Sequence, residues 1–316
     1  MGSGRKAASA GSVVSVNVST EKGTGKTPVE RVVLTDTGVE GDAHAGRWHR
    51  QVSLLGQEAI DEFVRATGRA TSPGEFAENI TLRGLDLGGV AVLDRLRVGP
   101  CELEVTQIGK RCHGDSCAIF REVGQCVMPK QGVFARVRAG GQVRPGDPAE
   151  HLPRPLRVRV LTMSDRAAAG QYEDRSGPLA QQKVEEHFAP TRWHVRVERA
   201  ILPDEAAALA AALTEAIGAG VDVVFVLGGT GIGPRDVSPE VVSARCEKHL
   251  PGVMEAIRVK YGRENPRAWL SRSVAGTAGT TQLYALPGSP RAVAEYLDEI
   301  LKVLAHAIVM LHGIGH

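Results

Sequence analysis

Between Val221 and Glu240 a β-branched apolar run stops at Gly228-Gly229-Thr230-Gly231, and Arg235, Asp236 and Ser238-Pro239-Glu240 follow closely. The run reads as a strand buried on both faces. Glycines leave the backbone uncovered, so loop N–H groups can approach a phosphate. Ser238 as N-cap, Pro239 at the first helical position and Glu240 in the first turn make a good helix start. Together these residues suit a phosphorylated ligand, with a divalent metal on the carboxylate. The spacing is neither a dinucleotide fingerprint nor a P-loop. Alone, the loop fits a tight strand-to-helix turn equally well; Arg235 and Asp236 favour the cradle.

Three further clusters follow apolar runs. Ser164-Asp165-Arg166 comes after Leu156–Met163, Asp204 after Ile201-Leu202-Pro203, and Pro287-Gly288-Ser289-Pro290 after Gln282–Leu286. Ligands of open α/β sheets sit beyond the carboxyl ends of the strands. Asp165, Asp204 and Asp236 are therefore expected to converge, and clustered carboxylates with a triphosphate hold Mg²⁺. Plainer roles stand beside these. Asp204 also fits a helix N-cap, while Asp165 and Ser289 fit ordinary turns. Arg258, Lys260, Arg263, Arg267 and Arg272 fit either a solvated face or phosphate recognition.

A second cluster lies in residues 107–128, where Cys112, Cys117 and Cys126 are spaced C-x4-C-x8-C. Lys110, Arg111 and His113 flank Cys112, and cationic neighbours favour thiolate, a soft metal ligand. No common zinc ribbon has this spacing, so unremarkable thiols and a metal or reactive-sulfur role both stay open. Gly23-Thr-Gly-Lys-Thr27 mimics the end of a P-loop, but Thr20 stands where its first glycine belongs and Pro28 follows. An exposed turn accounts for it.

These sites need scaffolds. A length of 316 residues suggests two domains. A net charge of +2 gives no broad field for nucleic acid or a membrane surface. No apolar stretch approaches the roughly 18 residues of a spanning helix. Five cysteines make no disulfide framework, which points to the cytoplasm. Residues 1–12 read as a flexible tail or expression remnant. The boundary falls in the proline-rich stretch 145–155, with a linker at 148–155 and domains at 13–147 and 156–316. In the first domain, short β runs (Val13–Val18, Val29–Leu34, Val90–Val98, Leu103–Ile108, Val133–Val137) and one helix, Leu55–Thr67, suit a closed β structure. In the second, strands Leu156–Met163, Trp193–Leu202, Val221–Leu227 and Gln282–Leu286 alternate with helices Gly177–Phe188, Asp204–Ala219, Pro239–Cys246 and Arg291–Leu311. That alternation marks a mostly parallel three-layer α/β sheet.

Residues 156 to about 310 resemble the molybdopterin adenylyltransferase family, which includes the gephyrin G domain. The resemblance rests on Met163-Ser-Asp-Arg, Glu173-Asp-Arg-Ser-Gly-Pro, Leu202-Pro-Asp-Glu, Gly228-Gly-Thr-Gly, Gly233-Pro-Arg-Asp-Val-Ser-Pro-Glu, Leu270-Ser-Arg-Ser-Val-Ala-Gly and Leu286-Pro-Gly-Ser-Pro. It implies Mg²⁺-dependent transfer of the adenylyl group of ATP to molybdopterin. The family's functional aspartates fall on Asp204 and Asp236, both expected to hold Mg²⁺. Its substrate groove falls on Ser164, Asp165, Gly228, Gly229, Thr230, Gly231, Arg235, Ser271, Ser273, Pro287, Gly288 and Ser289. A homotrimer is also implied.

Residues 13–147 resemble the MOSC domain, through Gly38-Val-Glu-Gly-Asp-Ala-His, Gly74-Glu-Phe-Ala-Glu-Asn-Ile, Arg83-Gly and Gln107-Ile-Gly-Lys-Arg-Cys112. The family's cysteine falls on Cys112, expected to ligate molybdenum or carry sulfur. Asn79 and Arg83 are implied to hold the pterin phosphate, while His44 and His49 fit a structural role better than a ligand role. Both resemblances point to molybdenum-cofactor biosynthesis, with other cofactor-synthesis proteins or recipient molybdoenzymes as further partners. The alternatives are a non-catalytic cofactor carrier or storage protein, and a MOSC-type reductase of N-hydroxylated compounds.

Overall fold

The computed structural model describes residues 10–111 and 126–315, which form two compact units dividing between Arg154 and Pro155. The first contains β1 (Ala10–Val18), β2 (Thr27–Val29), β3 (Val32–Thr35), β4 (Gly38–Val39), β5 (Val52–Gly56), helix α1 (Gln57–Thr67), β6 (Ile80–Arg83), β7 (Arg95–Val98) and β8 (Cys101–Ile108). Helix α2 (Met128–Gln131), β9 (Val133–Ala139), β10 (Gly141–Val143) and β11 (Pro148–Leu152) complete it.

Strands β11-β7-β8-β9-β5-β6-β1 lie side by side, and β1 pairs back onto β11, closing a barrel of seven strands. Closure removes the open edges that would otherwise invite other chains. Only β5 and β6 run parallel; every other pairing is antiparallel. Alternate side chains, among them Val16, Leu54, Ile80, Leu82, Leu96 and Leu103, fill the interior. A satellite core of Phe63, Phe76, Met128 and Phe134 seats α1 and α2.

The second unit comprises β12 (Pro155–Met163), α3 (Asp165–Ala168), α4 (Ser176–Phe188), β13 (His194–Leu202), α5 (Ala206–Gly218), β14 (Val223–Leu227), α6 (Ser238–Ser243), β15 (Lys248–His249), α7 (Pro251–Gly262), β16 (Val274–Ala278), β17 (Thr281–Leu286) and α8 (Pro290–Leu311). The sheet order is β13-β12-β14-β17-β16-β15; the first four strands are parallel and the last two antiparallel. Val224, Val226 and Leu283 pack against Leu209 and Leu213 of α5. With a period of two, Phe225 and Tyr284 project to the opposite face, where their rings stack at 5.4 Å. A layered α/β fold with a mixed sheet results.

Several expected boundaries move. The stretch read as a linker, 148–155, instead carries β11, whose pairing with β1 and β7 closes the barrel. Its prolines are tolerated because Pro148 opens the strand and Pro153 follows it. β1 begins at Ala10, inside the expected tail. The run Val29–Leu34 splits into two strands, and Val90–Val98 is a strand only from Arg95. Strands β5, β6 and β16 and helix α7 had no expectation.

Candidate functional site

The register of the parallel strands sets one level for four loops. Met163 lies opposite Leu202, and Thr162, Leu227 and Leu286 form a row across β12, β14 and β17. The chain leaves that row as Ser164-Asp165, Asp204, the glycine loop and Pro287-Gly288-Ser289. Gly228, at φ 107°, has no room for a side chain: a Cβ there would stand 2.8 Å from the Met163 carbonyl. Its own N–H donates to the Leu286 carbonyl at 2.9 Å.

Three carboxylates meet at this edge. The Asp165 N–H donates to the Asp204 carboxylate at 3.1 Å, and the Asp204 N–H returns a bond to the Asp165 carboxylate at 2.8 Å. This exchange replaces the N-cap role open to Asp204; α5 starts two residues later with no side-chain cap. Asp165 also pairs with Arg235 from across the glycine loop. Asp236 accepts the Gly233 N–H at 2.8 Å and folds against Gly231, where a Cβ would stand 2.7 Å from its Oδ2. Burial and the charge of Asp236 both push the Asp204 carboxyl above its ordinary value. Among the described residues no lysine or arginine pairs with Asp204 or Asp236. Two mutually repelling carboxylates without a cation fit a divalent metal.

The hydroxyls are mostly committed to the protein. Ser164 caps α3 by accepting the Ala167 N–H, and Ser289 caps α8 by accepting from Ala292. Thr230, Ser271 and Ser273 form a chain that ends on the Tyr296 hydroxyl. The Gly288 carbonyl accepts from Ser176 at 2.6 Å, anchoring the 287–289 turn. Ser238 is not the N-cap: it is the first residue of α6, and its buried hydroxyl has no partner among the described residues.

The barrel carries its own polar centre. Asp42, with a fully buried side chain, pairs with the buried Lys26. It also accepts the N–H groups of His44 at 2.9 Å and Ser19 at 3.2 Å, and the Asn79 amide at 3.0 Å. Burial alone would raise its pKa, but bonds from His44 and Lys26 more than offset this and hold the carboxyl far below its usual range. Burial likewise lowers Lys26, which Asp42 only partly compensates; the charge of Lys110 lowers it further. His44 stacks on Trp48, and burial lowers the pKa of His49. A register row runs from Gln107 through Phe134 to Ser53, whose hydroxyl donates to Asn79 at 2.9 Å. The segment leading to Cys112 thus lies beside this network; Cys112 and Cys117 themselves lie outside the described residues.

A family model described as a probable molybdopterin binding domain matches residues 159–306, and a MOSC domain model matches residues 41–150. Molybdopterin adenylyltransferase of Helicobacter pylori is 32% identical over 160 residues, covering 50% of this chain and 89% of that protein. The chain belongs to the molybdopterin-binding family. The molybdenum cofactor biosynthesis bifunctional protein of Synechococcus elongatus is 39% identical over 157 residues, 50% of this chain and 48% of that protein. The chain therefore spans about half the length of that relative. The solved molybdopterin biosynthesis Mog protein of Mycobacterium ulcerans is 33% identical, covering 51% of this chain and 99% of that one, with a TM-score of 0.46.

Within the molybdopterin-binding unit, the expected residues gather at one sheet edge. The MOSC unit is less obliging. Asn79 is buried, and its amide is consumed by Ser53, Asn17 and Asp42, so it orders the network rather than offering itself to a phosphate. Arg83 stands at the other end of β6, exposed and 3.8 Å from Asp61. Two residues escaped the sequence reading. Lys26 sits inside the supposed exposed turn yet is buried; its Gly-Lys-Thr setting was the only signal. Arg272 grips the glycine loop, and nothing in its spacing distinguished it from neighbouring arginines.

Because Asp42 is buried, removing Lys26 strands a charge. Lys26→Met is expected to cost about 3–5 kcal/mol in denaturant unfolding, with Asp42→Asn added to it restoring part of the loss. The depressed Asp42 pKa stabilises the fold above its ordinary value of 3.8, and that contribution fades as pH falls below it. Lys26→Met should therefore lose its penalty in acid. An unchanged urea midpoint at neutral pH would contradict the account.

Proposed function

We propose that the molybdopterin-binding unit transfers the adenylyl group of ATP to the terminal phosphate of molybdopterin. A phosphate oxygen of molybdopterin attacks the α-phosphorus, the α–β bridging bond breaks, and the electron pair leaves with pyrophosphate. The observation carrying this reading is the convergence of Asp204 and Asp236, with no lysine or arginine partner among the described residues, beside a loop of bare backbone amides. Names of relatives in molybdenum cofactor biosynthesis support the same chemistry. Such transfers need in-line positioning and neutralised oxygen charge more than covalent help.

Asp204 and Asp236 would hold Mg²⁺, which when bound neutralises charge on the phosphate oxygens. Loop amides at 229–232 donate to the phosphate chain. Arg235, exposed beside the loop, can exchange its Asp165 partner for a phosphate. Asp165 meanwhile keeps Asp204 in place through their paired backbone bonds.

For the MOSC unit we propose binding of the finished or maturing cofactor through Cys112, with molybdenum or sulfur on its thiolate. Lys110 and Arg111 lead directly into it, and Lys26 lies close to Lys110. By contrast the Cys101 and Cys246 thiols are pushed up to about 11 by burial, which suits inert packing. A cytoplasmic homotrimer completes the reading; exposed Val259, Trp269, Leu270 and Met310 offer apolar area for a subunit contact.

Incubated with molybdopterin, ATP and Mg²⁺, the wild type should release pyrophosphate. Asp236→Ala should slow that release by about 10²–10³-fold while unfolding at nearly the same temperature. Tight binding without turnover in the wild type would make the protein a carrier instead. Molybdenum content of protein isolated with its cofactor should fall in Cys112→Ala; an unchanged content removes Cys112 as ligand. Sedimentation at micromolar concentration should give three times the chain mass, and a monomer would remove the trimer.

A further inference from the structure

We infer that Arg272 is the positioning residue of the glycine loop, fixing its peptide planes so that two free N–H groups face the phosphate chain. The inference rests on the phosphate-binding reading of that loop and adds a residue to it. Arg272 lies between Ser271 and Ser273, ahead of β16, and reaches back across the loop with both its backbone and its side chain. Its N–H donates to the Thr230 carbonyl at 2.9 Å. Its Nε donates to the Gly231 carbonyl and its Nη2 to the Asp236 carbonyl, each at 2.6 Å. Its Nη1 pairs with Glu240 of α6.

All three guanidinium nitrogens are therefore engaged by the protein, and the side chain acts as a strut rather than as a phosphate ligand. A trans peptide is planar, with its C=O and the following N–H pointing in opposite directions. Fixing the Thr230 and Gly231 carbonyls towards Arg272 turns the N–H groups of Gly231 and Ile232 away from it. Among the described residues neither N–H has an acceptor. Two adjacent unpaired amides in a glycine turn form a concavity suited to an anionic oxygen. The third bond holds the Asp236 backbone, so the side chain sets the Ile232 amide and the Asp236 backbone together, while the Arg272 N–H sets the Gly231 amide. The requirement is geometric: a lysine carries equal charge but has one nitrogen, which cannot span two carbonyls and a carboxylate in the fork geometry.

The test uses the full chain, with inorganic pyrophosphate and MgATP as calorimetric probes, and compares wild type, Arg272→Ala and Arg272→Lys. Both variants should lose at least about tenfold in affinity for each probe, comparable with loss of a preorganised donor, and lysine should fail to rescue. Wild-type affinity in Arg272→Lys would show that charge suffices and would overturn the inference. So would a folded Arg272→Ala that binds normally and differs only in melting temperature. If the alanine variant does not fold, the lysine variant decides alone. Wild type that binds pyrophosphate yet never cleaves ATP refutes adenylyl transfer and leaves Arg272 standing. Wild type that binds neither probe removes the loop as a phosphate site, and Arg272 with it.

Discussion

Four parallel strands end at one level in the second unit, and their ends meet through bare backbone. This close approach is the constraint from which the rest of the site follows. The Gly228 amide reaches the Leu286 carbonyl, while a Cβ on Gly288 would come within 3.0 Å of the Gly228 Cα. Side chains at these points would push the strands out of register, and a parallel sheet buried on both faces has little freedom to accommodate that. With the ends locked, every loop leaving them starts from the same plane. Asp204, Asp165 and Asp236 come from separate loops, and their meeting is a consequence of register.

Charge pairing then separates the acids into two kinds. Asp165 and Glu240 are matched by Arg235 and Arg272, whereas Asp204 lies within the field of Asp236 and neither has a lysine or arginine partner among the described residues. The matched acids cost the fold little, since partly exposed pairs contribute small energies of either sign. The unmatched pair works against folding, because burial and the charge of Asp236 raise the free energy of ionising Asp204. Repulsion of this kind gathers at functional sites, and a bound cation would relieve it. The barrel follows the opposite rule. There Asp42 is wholly buried with both carboxylate oxygens occupied, so its network specifies structure.

Much of this was legible in the sequence because buried parallel strands write continuous apolar runs. Leu156–Met163 and Val221–Leu227 were both visible that way, as was the glycine loop between strand and helix. The antiparallel edge was not: β16 reads Val-Ala-Gly-Thr-Ala, too small and too mixed to stand out. Barrel strand β11, Pro-Ala-Glu-His-Leu, has only two buried side chains, Ala149 and His151, and the prolines and acids in and around it resemble a linker. Local rules also misplaced side chains. Ser238 and Asp204 satisfy the composition of an N-cap, yet Ser238 is drawn in against Gly229 and Asp204 is held by Asp165. Tertiary contacts chose between local options that the sequence left equal.

The same limit explains why lysines and arginines were the hardest residues to place. Their long stems let the charge end far from the backbone position, so spacing along the chain says little about what the head group meets. Lys26 belongs to a turn whose neighbours Gly25 and Thr27 are exposed, yet its ammonium is drawn inward to Asp42 across sixteen residues of chain. Arg272 sits in a run of three polar residues that reads as surface, yet its guanidinium closes the loop forty-one residues upstream. Carboxylates are shorter and stay near the strand end that carries them. An α/β site therefore shows its acids in sequence first, and the basic residues that brace it emerge only when the strands are laid in register.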